Sequence, residues 1–303
     1  MPRPLATLLL VFCTMLWGFA FVAQKSAMDS MGPLTFAGVR YLLGGLVILP
    51  LAIWEYRRKM RSGAPPLTRR KWLEIAAVTV VFFLGSWLQQ AGLIHTTVTN
   101  GGFLTGLYVF FVPVILLVFW RIRPHPMVWL GVPLALMGLY YLNGAGLDRL
   151  NMGDGLVIGS AVFWAMHVLL LGYLARSTGL PVFISGISFL GAGLLAIIFA
   201  FGLETPTLEG ISGGWVEIAY AGILSTAVSF TLQAVGQQYV PPANAAIVLS
   251  GESLFAALGA AIVLGERLTP TGYAGAALIF LAIVLVETVP LLMARRRGLQ
   301  AVP

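Results

Sequence analysis

Few side chains in this 303-residue chain could do chemistry, and several of those stand where ionisable groups are costly. Glu252 lies about ten residues into the apolar run 242–264, roughly 15 Å along a helix. A carboxyl there could exchange a proton or hold a substrate ammonium. It could equally hydrogen-bond and pack one segment on another. Arg40 lies about six residues inside the run 34–54. Its five donors could attract a substrate carboxylate or tie down a neighbouring helix end. His167 stands near the middle of the run 154–175, three residues after Trp164. It could line a cavity and titrate, or be a hydrogen-bonded core residue. Glu252 and His167 are therefore the two candidates for proton coupling.

Aromatic and amide side chains extend the set. Membrane tryptophans normally collect at the interfaces, yet Trp17 and Trp164 fall in the middle of their runs. Either they fill a core, or they wall a cavity and stack on an apolar solute. Tyr108, Tyr41, Trp87 and Phe103 are weaker aromatic candidates. Gln89 and Gln233, like Gln24, Gln90, Gln237, Asn100 and Asn244, cannot face lipid cheaply. Interhelical hydrogen bonding is their default, and lining a wet pathway is the alternative. The candidate cavity set is Trp17, Trp164, His167, Gln89, Gln233, Tyr108, Glu252 and Arg40. No Walker A loop, H-E-x-x-H or G-x-S-x-G occurs. The lone Cys13 cannot form an intramolecular bridge, and no Cys/His cluster offers a metal site. The expectation is a protein without cofactor or metal that is not an enzyme.

The elements that must position these residues follow from composition. The chain is 59% hydrophobic and only 10% charged, against about 25% charged in soluble domains. That excludes a disordered chain, a disulfide-rich secreted scaffold and a cytosolic enzyme. Spans of about 20 apolar residues are needed to cross hydrocarbon. Ten such stretches are found, at roughly 5–25, 34–54, 72–95, 98–119, 126–143, 154–175, 181–202, 214–238, 242–264 and 270–293. The first continues past signal-peptide length without an A-x-A site before Gln24, so it reads as a retained helix. With both termini cytoplasmic, all of the 18 basic residues except Lys25, Arg40, Arg149 and Arg267 face inward. The basic tracts flank apolar runs, so the net charge of +7 points to anionic headgroups rather than nucleic acid.

The two halves match at a shift of 144 residues. Leu88, Gln89, Gly92, Asn100, Arg123, Pro126 and Gly131 meet Leu232, Gln233, Gly236, Asn244, Arg267, Pro270 and Gly275. At a shift of 147, Leu16-Trp17 meets Phe163-Trp164. Five spans per half is odd, so the second copy enters from the opposite side. The fold class is an all-α membrane protein of two inverted five-helix repeats, 1–145 and 150–294, with a basic cytoplasmic tail at 295–303. Such duplications serve alternating access, with substrate held between the halves. Gly44-Gly45 and Gly101-Gly102 are candidate bending points. One chain holds both halves of a pathway, so a monomer would suffice.

The stretch Leu16-Trp17-Gly18-Phe19-Ala20-Phe21-Val22, with Pro33 and Arg40, resembles the opening of the EamA family in the drug/metabolite transporter superfamily. Leu249-Ser250-Gly251-Glu252-Ser253-Leu254-Phe255-Ala256-Ala257-Leu258-Gly259, then Leu264-Gly265-Glu266-Arg267-Leu268-Thr269 and Gly275-Ala276, resembles that family's last two helices. Ser253 departs from a common proline, and Arg121-Ile122 from a common Gly-Glu pair. The resemblance implies export of small metabolites, often amino acids, from a bacterial inner membrane. Overall similarity and aromatic content also resemble the aromatic amino-acid exporter branch. The alternatives are efflux of hydrophobic drugs or of other metabolites such as nucleosides and, from another class, an intramembrane enzyme, for which no convergent catalytic groups are found.

Overall fold

A computed structural model describes residues 1–142, 151–265 and 267–296. Among these, all regular structure is helical. The apolar helices are α1 (Arg3–Ser26), α2 (Pro33–Arg61), α3 (Arg69–Leu93), α4 (Val98–Phe119), α5 (Pro126–Leu142), α6 (Met152–Thr178), α7 (Pro181–Leu203), α8 (Trp215–Gly236), α9 (Pro242–Val263) and α10 (Pro270–Arg296). A six-residue helix, Leu208–Gly213, joins α7 to α8. Among the described residues nine of these are long and apolar enough to cross a membrane. The fifth expected span is the exception: α5 has 17 residues, short of the usual crossing length. The expected junction at 143–150, with Asp148 and Arg149, lies outside the described residues, as do Glu266 and residues 297–303. Residues 295 and 296 of the expected tail close α10.

Local sequence explains where the helices start. Pro33, Pro126, Pro181, Pro242 and Pro270 each open one, where proline's fixed φ fits and its missing N–H costs nothing. The backbone N–H groups of Lys71 and Asn100 donate to the side chains of Thr68 and Thr97 at the starts of α3 and α4. Asn151 and Asp154 form a reciprocal capping box at α6. Gly179, at φ +61°, ends α6 in the left-handed conformation that glycine adopts at least cost.

Packing repeats under one exchange. If each helix is replaced by the one five places on, α2–α7 and α5–α10 map onto themselves. The α3–α6 contact maps onto α1–α8, α1–α9 onto α4–α6, and α2–α8 onto α3–α7; all of these pairs touch. Small residues allow the closest approaches. A Cβ on Gly138 of α5 would meet the Gly275 carbonyl of α10 at 2.8 Å, so only glycine fits that crossing.

The α2–α7 pair carries two reciprocal carboxylate caps that sequence reasoning missed. Glu204, just past the end of α7, accepts from the backbone N–H groups of Leu34 and Thr35 (2.7 and 2.9 Å) and from the Thr35 hydroxyl (2.7 Å). Glu55, near the end of α2, accepts from the Phe183 N–H at the start of α7 (2.8 Å). Each carboxylate satisfies orphan donors and complements the positive end of the partner helix. Replacing Glu204 with Ala removes three such bonds and is expected to cost about 1–2 kcal/mol, more than Glu55→Ala. Thermal unfolding of the detergent-solubilised variants would check this, and no loss in either would show that the caps do not hold the pair.

Candidate functional site

Two of the apolar helices tighten halfway into 3₁₀-type turns in which the backbone stays right-handed and i→i+3 bonds persist, from the Leu107 N–H to the Leu104 carbonyl and from the Gly251 N–H to that of Val248. In α4 the helix Val98–Thr105 gives way through Gly106 and Leu107 to Tyr108–Phe119. In α9 the helix Pro242–Leu249 gives way through Ser250 and Gly251 to Glu252–Val263. At the 144-residue shift 105–108 falls on 249–252, so Tyr108 and Glu252 each stand just after a tightened turn. Gly44-Gly45 and Gly101-Gly102, the expected bends, instead lie within continuous helix. They serve close packing: Gly44 sits against the Gly222 carbonyl and Thr226, and Gly102 against Ala256. In α8 the stretch Tyr220–Phe230 is π-helical. The hydroxyls of Thr226 and Ser229 donate to carbonyls five residues back, Ala221 (2.7 Å) and Leu224 (2.9 Å). Such widened turns are frequent at functional sites.

The two tightened turns and the π-helical turn surround one cavity. All eight candidate residues line it: Trp17, Arg40, Gln89, Tyr108, Trp164, His167, Gln233 and Glu252. Helices distant in sequence thus bring them together. Buried side-chain atoms without a hydrogen-bond partner concentrate here. Arg40 Nε, Tyr108 Oη, Trp164 Nε1, His167 Nδ1, Gln233 Oε1, Glu252 Oε1 and Gln24 Oε1 all belong to lining residues. Buried polar groups are normally paired, so such a concentration marks a place where a polar solute could supply the partners.

Each polar member has distinct surroundings. Arg40 is 2% exposed; its Nη2 donates to the hydroxyls of Tyr41 (2.6 Å) and Ser86 (3.1 Å), which also bond to each other. Its guanidinium lies over the rings of Tyr41 and Phe36, 4.5 and 5.1 Å from their centroids. No carboxylate pairs with it among the described residues. Gln89 Nε2 donates to the Thr105 hydroxyl at the tightened turn of α4 (2.9 Å). Tyr108 and Glu252 stand against each other on the cavity wall, phenol hydroxyl beside carboxyl. His167 is walled by Phe82, Trp164 and Phe230, with centroids 5.1, 5.7 and 5.9 Å away.

The apolar wall is a connected set of rings. Phe230 lies 4.5 Å from Trp17, stacks on Trp164 at 5.7 Å with 16° between planes, and meets Phe82 edge-on at 4.9 Å. The Trp17 indole N–H donates to the Ser225 carbonyl (3.0 Å), which docks α1 on the π-helical turn. Sequence reasoning missed Phe230, Ser225 and Thr105. Phe230 stands three residues before Gln233, on the same helical face, and that spacing could have flagged it. Of the weaker aromatic candidates, Tyr41 packs behind the wall on Phe82, Trp87 stacks on Phe83, and Phe103 is buried in the core. Other amides tie helices together: Gln90 donates to the Gln24 carbonyl and Gln237 to that of Val168. Asn100 bonds Thr96 and Asp154, and Asn244 bonds Glu287, which pairs with Arg3 at 3.1 Å.

Comparison with known proteins places these features in a family. The profile of the EamA-like transporter family matches residues 4–144 and 151–288. An uncharacterized transporter of Archaeoglobus fulgidus is 31% identical over 286 residues, covering 94% of this chain and 86% of its own. The uncharacterized inner membrane transporter YedA of Escherichia coli is 25% identical over 280 residues, covering 89% of this chain and 87% of its own. The threonine/homoserine exporter RhtA of Escherichia coli is 25% identical over 272 residues, covering 87% and 84%. A solved crystal structure superposes with a TM-score of 0.77 over 97% of this chain and 99% of its own, at 17% identity, which shows a shared fold.

The two tryptophans differ in a testable way. Trp17 spends its indole N–H on the Ser225 carbonyl, whereas that of Trp164 is unpartnered. Trp17→Phe should therefore cost about 1 kcal/mol more than Trp164→Phe, the net worth of one hydrogen bond. Denaturant unfolding of both variants would measure the difference, and the reverse ranking would show that this bond does not hold α1 on α8.

Proposed function

This chain belongs to the EamA-like transporter family, and on that premise we propose that it exports small metabolites, chiefly amino acids including aromatic ones, by alternating access. The observation that carries the proposal is the cavity at the tightened turns of α4 and α9, where unpartnered polar atoms and stacked rings converge. A polar solute with an apolar side chain complements that combination: its polar groups meet the amides, Glu252 and Arg40, and its side chain meets Phe230 and Trp164. The name of RhtA, a threonine/homoserine exporter, supports the amino-acid class.

The mechanism we propose rests on two inverted five-helix halves, with both termini in the cytoplasm. The exchange of helix contacts five places on and the matching positions of the two tightened turns support that duplication. In carriers of that kind the substrate sits between the repeats. Rocking one half against the other would expose the cavity to each side in turn, and a single chain supplies both walls. The EamA assignment and the names of the relatives point to transport rather than catalysis. The proposed location is a bacterial inner membrane, in line with the name of YedA.

Glu252 and His167 are the proposed coupling groups. Flux of labelled threonine and phenylalanine into proteoliposomes, with and without a pH gradient, tests both proposals. Gradient-driven flux is expected in the native protein. Glu252→Gln or His167→Ala should abolish the response to the gradient while leaving exchange. Failure to move any amino acid would overturn the amino-acid reading, and movement of neutral aromatic drugs alone would favour drug efflux. An unchanged gradient response in both variants would return these side chains to packing.

A further inference from the structure

Arg40 is the charge that packing leaves unexplained. It is buried in α2, and no carboxylate pairs with it among the described residues. Its contacts to Tyr41, Ser86 and the ring of Phe36 satisfy some donors and shield the charge, but none of them neutralises it. Its Nε–H has no acceptor, although Arg40 lines the cavity. A buried, unpaired guanidinium carries a desolvation penalty that hydroxyls do not repay. Glu252 lines the same cavity yet makes no ion pair with Arg40.

The other half of the molecule indicates that the helix pair does not need this charge. At a shift of 148 residues, Pro33, Gly38, Leu42 and Gly45 of α2 meet Pro181, Gly186, Leu190 and Gly193 of α7. At that shift Arg40-Tyr41 falls on Ser188-Phe189. Ser188 is held by the Thr79 hydroxyl (3.3 Å), and Phe189 packs on Phe82 and Phe230. A serine and a phenylalanine therefore serve the related position without any cation. Arg40 lines the cavity, whereas neither Ser188 nor Phe189 is among its lining residues; Phe82 packs behind the wall, against Tyr41 on one side and Trp164 and Phe230 on the other.

We infer that Arg40 is the docking point for a substrate carboxylate. Tyr41 and Ser86 orient the guanidinium, the apolar part of the solute lies against Phe230 and Trp164, and its ammonium turns toward Glu252. The inference rests on the exporter reading of the same cavity and narrows it to solutes that carry a free carboxylate. Arginine suits the role because its planar donors bind a carboxylate through two parallel hydrogen bonds.

Binding separates this inference from transport. The full chain in lipid nanodiscs is titrated with L-phenylalanine and L-threonine, with their carboxamides, and with 2-phenylethylamine, following quenching of tryptophan fluorescence. The acids should bind roughly 30-fold or more tightly than the amides or the amine, the ratio that loss of a buried charge pair produces. In Arg40→Gln the acids should fall to the level of the amides, while Arg40→Lys should keep part of the preference. If Arg40→Gln does not fold, Ser86→Ala serves instead, and it should weaken the acids severalfold without changing the amides. Equal binding of acids and amides by the native protein, no binding of either acid, or discrimination that survives in Arg40→Gln would each overturn the inference. Flux of amides as fast as acids would remove the carboxylate site and leave the exporter. Tight binding of acids without flux would do the reverse.

Discussion

In hydrocarbon a polar group has no water to turn to, so a bundle of apolar helices must satisfy its polar atoms from within. Much of this structure answers that demand locally. Asn100 is held by Thr96 and Asp154, Asn244 by Glu287, and Glu287 by Arg3 and Thr7. Glu204 and Glu55 close the open ends of α2 and α7. The amides of Gln90 and Gln237 find backbone carbonyls on other helices. With many of those demands met at the periphery, most of the unmet ones among the described residues belong to side chains lining a single cavity, while Gln90, Gln237, Ser185 and Thr231 each keep one elsewhere.

That distribution connects packing to function. A local change of helix geometry in a membrane span is best tolerated where protein or a cavity surrounds it. Here two tightened turns and one π-helical turn lie around the same space, and each brings a side chain to it: Tyr108, Glu252 and Phe230. Around it pack α2 with α7 and α5 with α10, pairs that map onto themselves under the five-helix exchange. The contacts are thus near-symmetric while the cavity lining is not.

Much of the fold was legible in the chain because lipid imposes a simple rule on it. Runs of apolar residues of the right length become helices, and the proline starts mark several of their first turns. Legibility ended where helix geometry depends on neighbours. Bending points were expected at paired glycines, but Gly44 and Gly102 are used for close contact, and the helices tighten instead at 105–108 and 249–252. Residues without an obvious chemical role, such as Phe230 and Ser225, reach the site through the π-helical turn, which periodicity alone does not reveal.

By itself the sequence determined the membrane class, the helix positions within a few residues, the resemblance between the halves, and a short set of costly polar residues. Those follow from composition and spacing, because the penalty of a polar side chain in lipid is a property of the residue and its depth. Tertiary structure decided which of those residues share a space and which are already satisfied. Asn100 and Glu287 found partners, while Arg40, Glu252 and Trp164 kept free atoms facing one cavity. Hydrogen bonding is set by geometry over a few ångströms between helices far apart in the chain, and no spacing along the sequence records it.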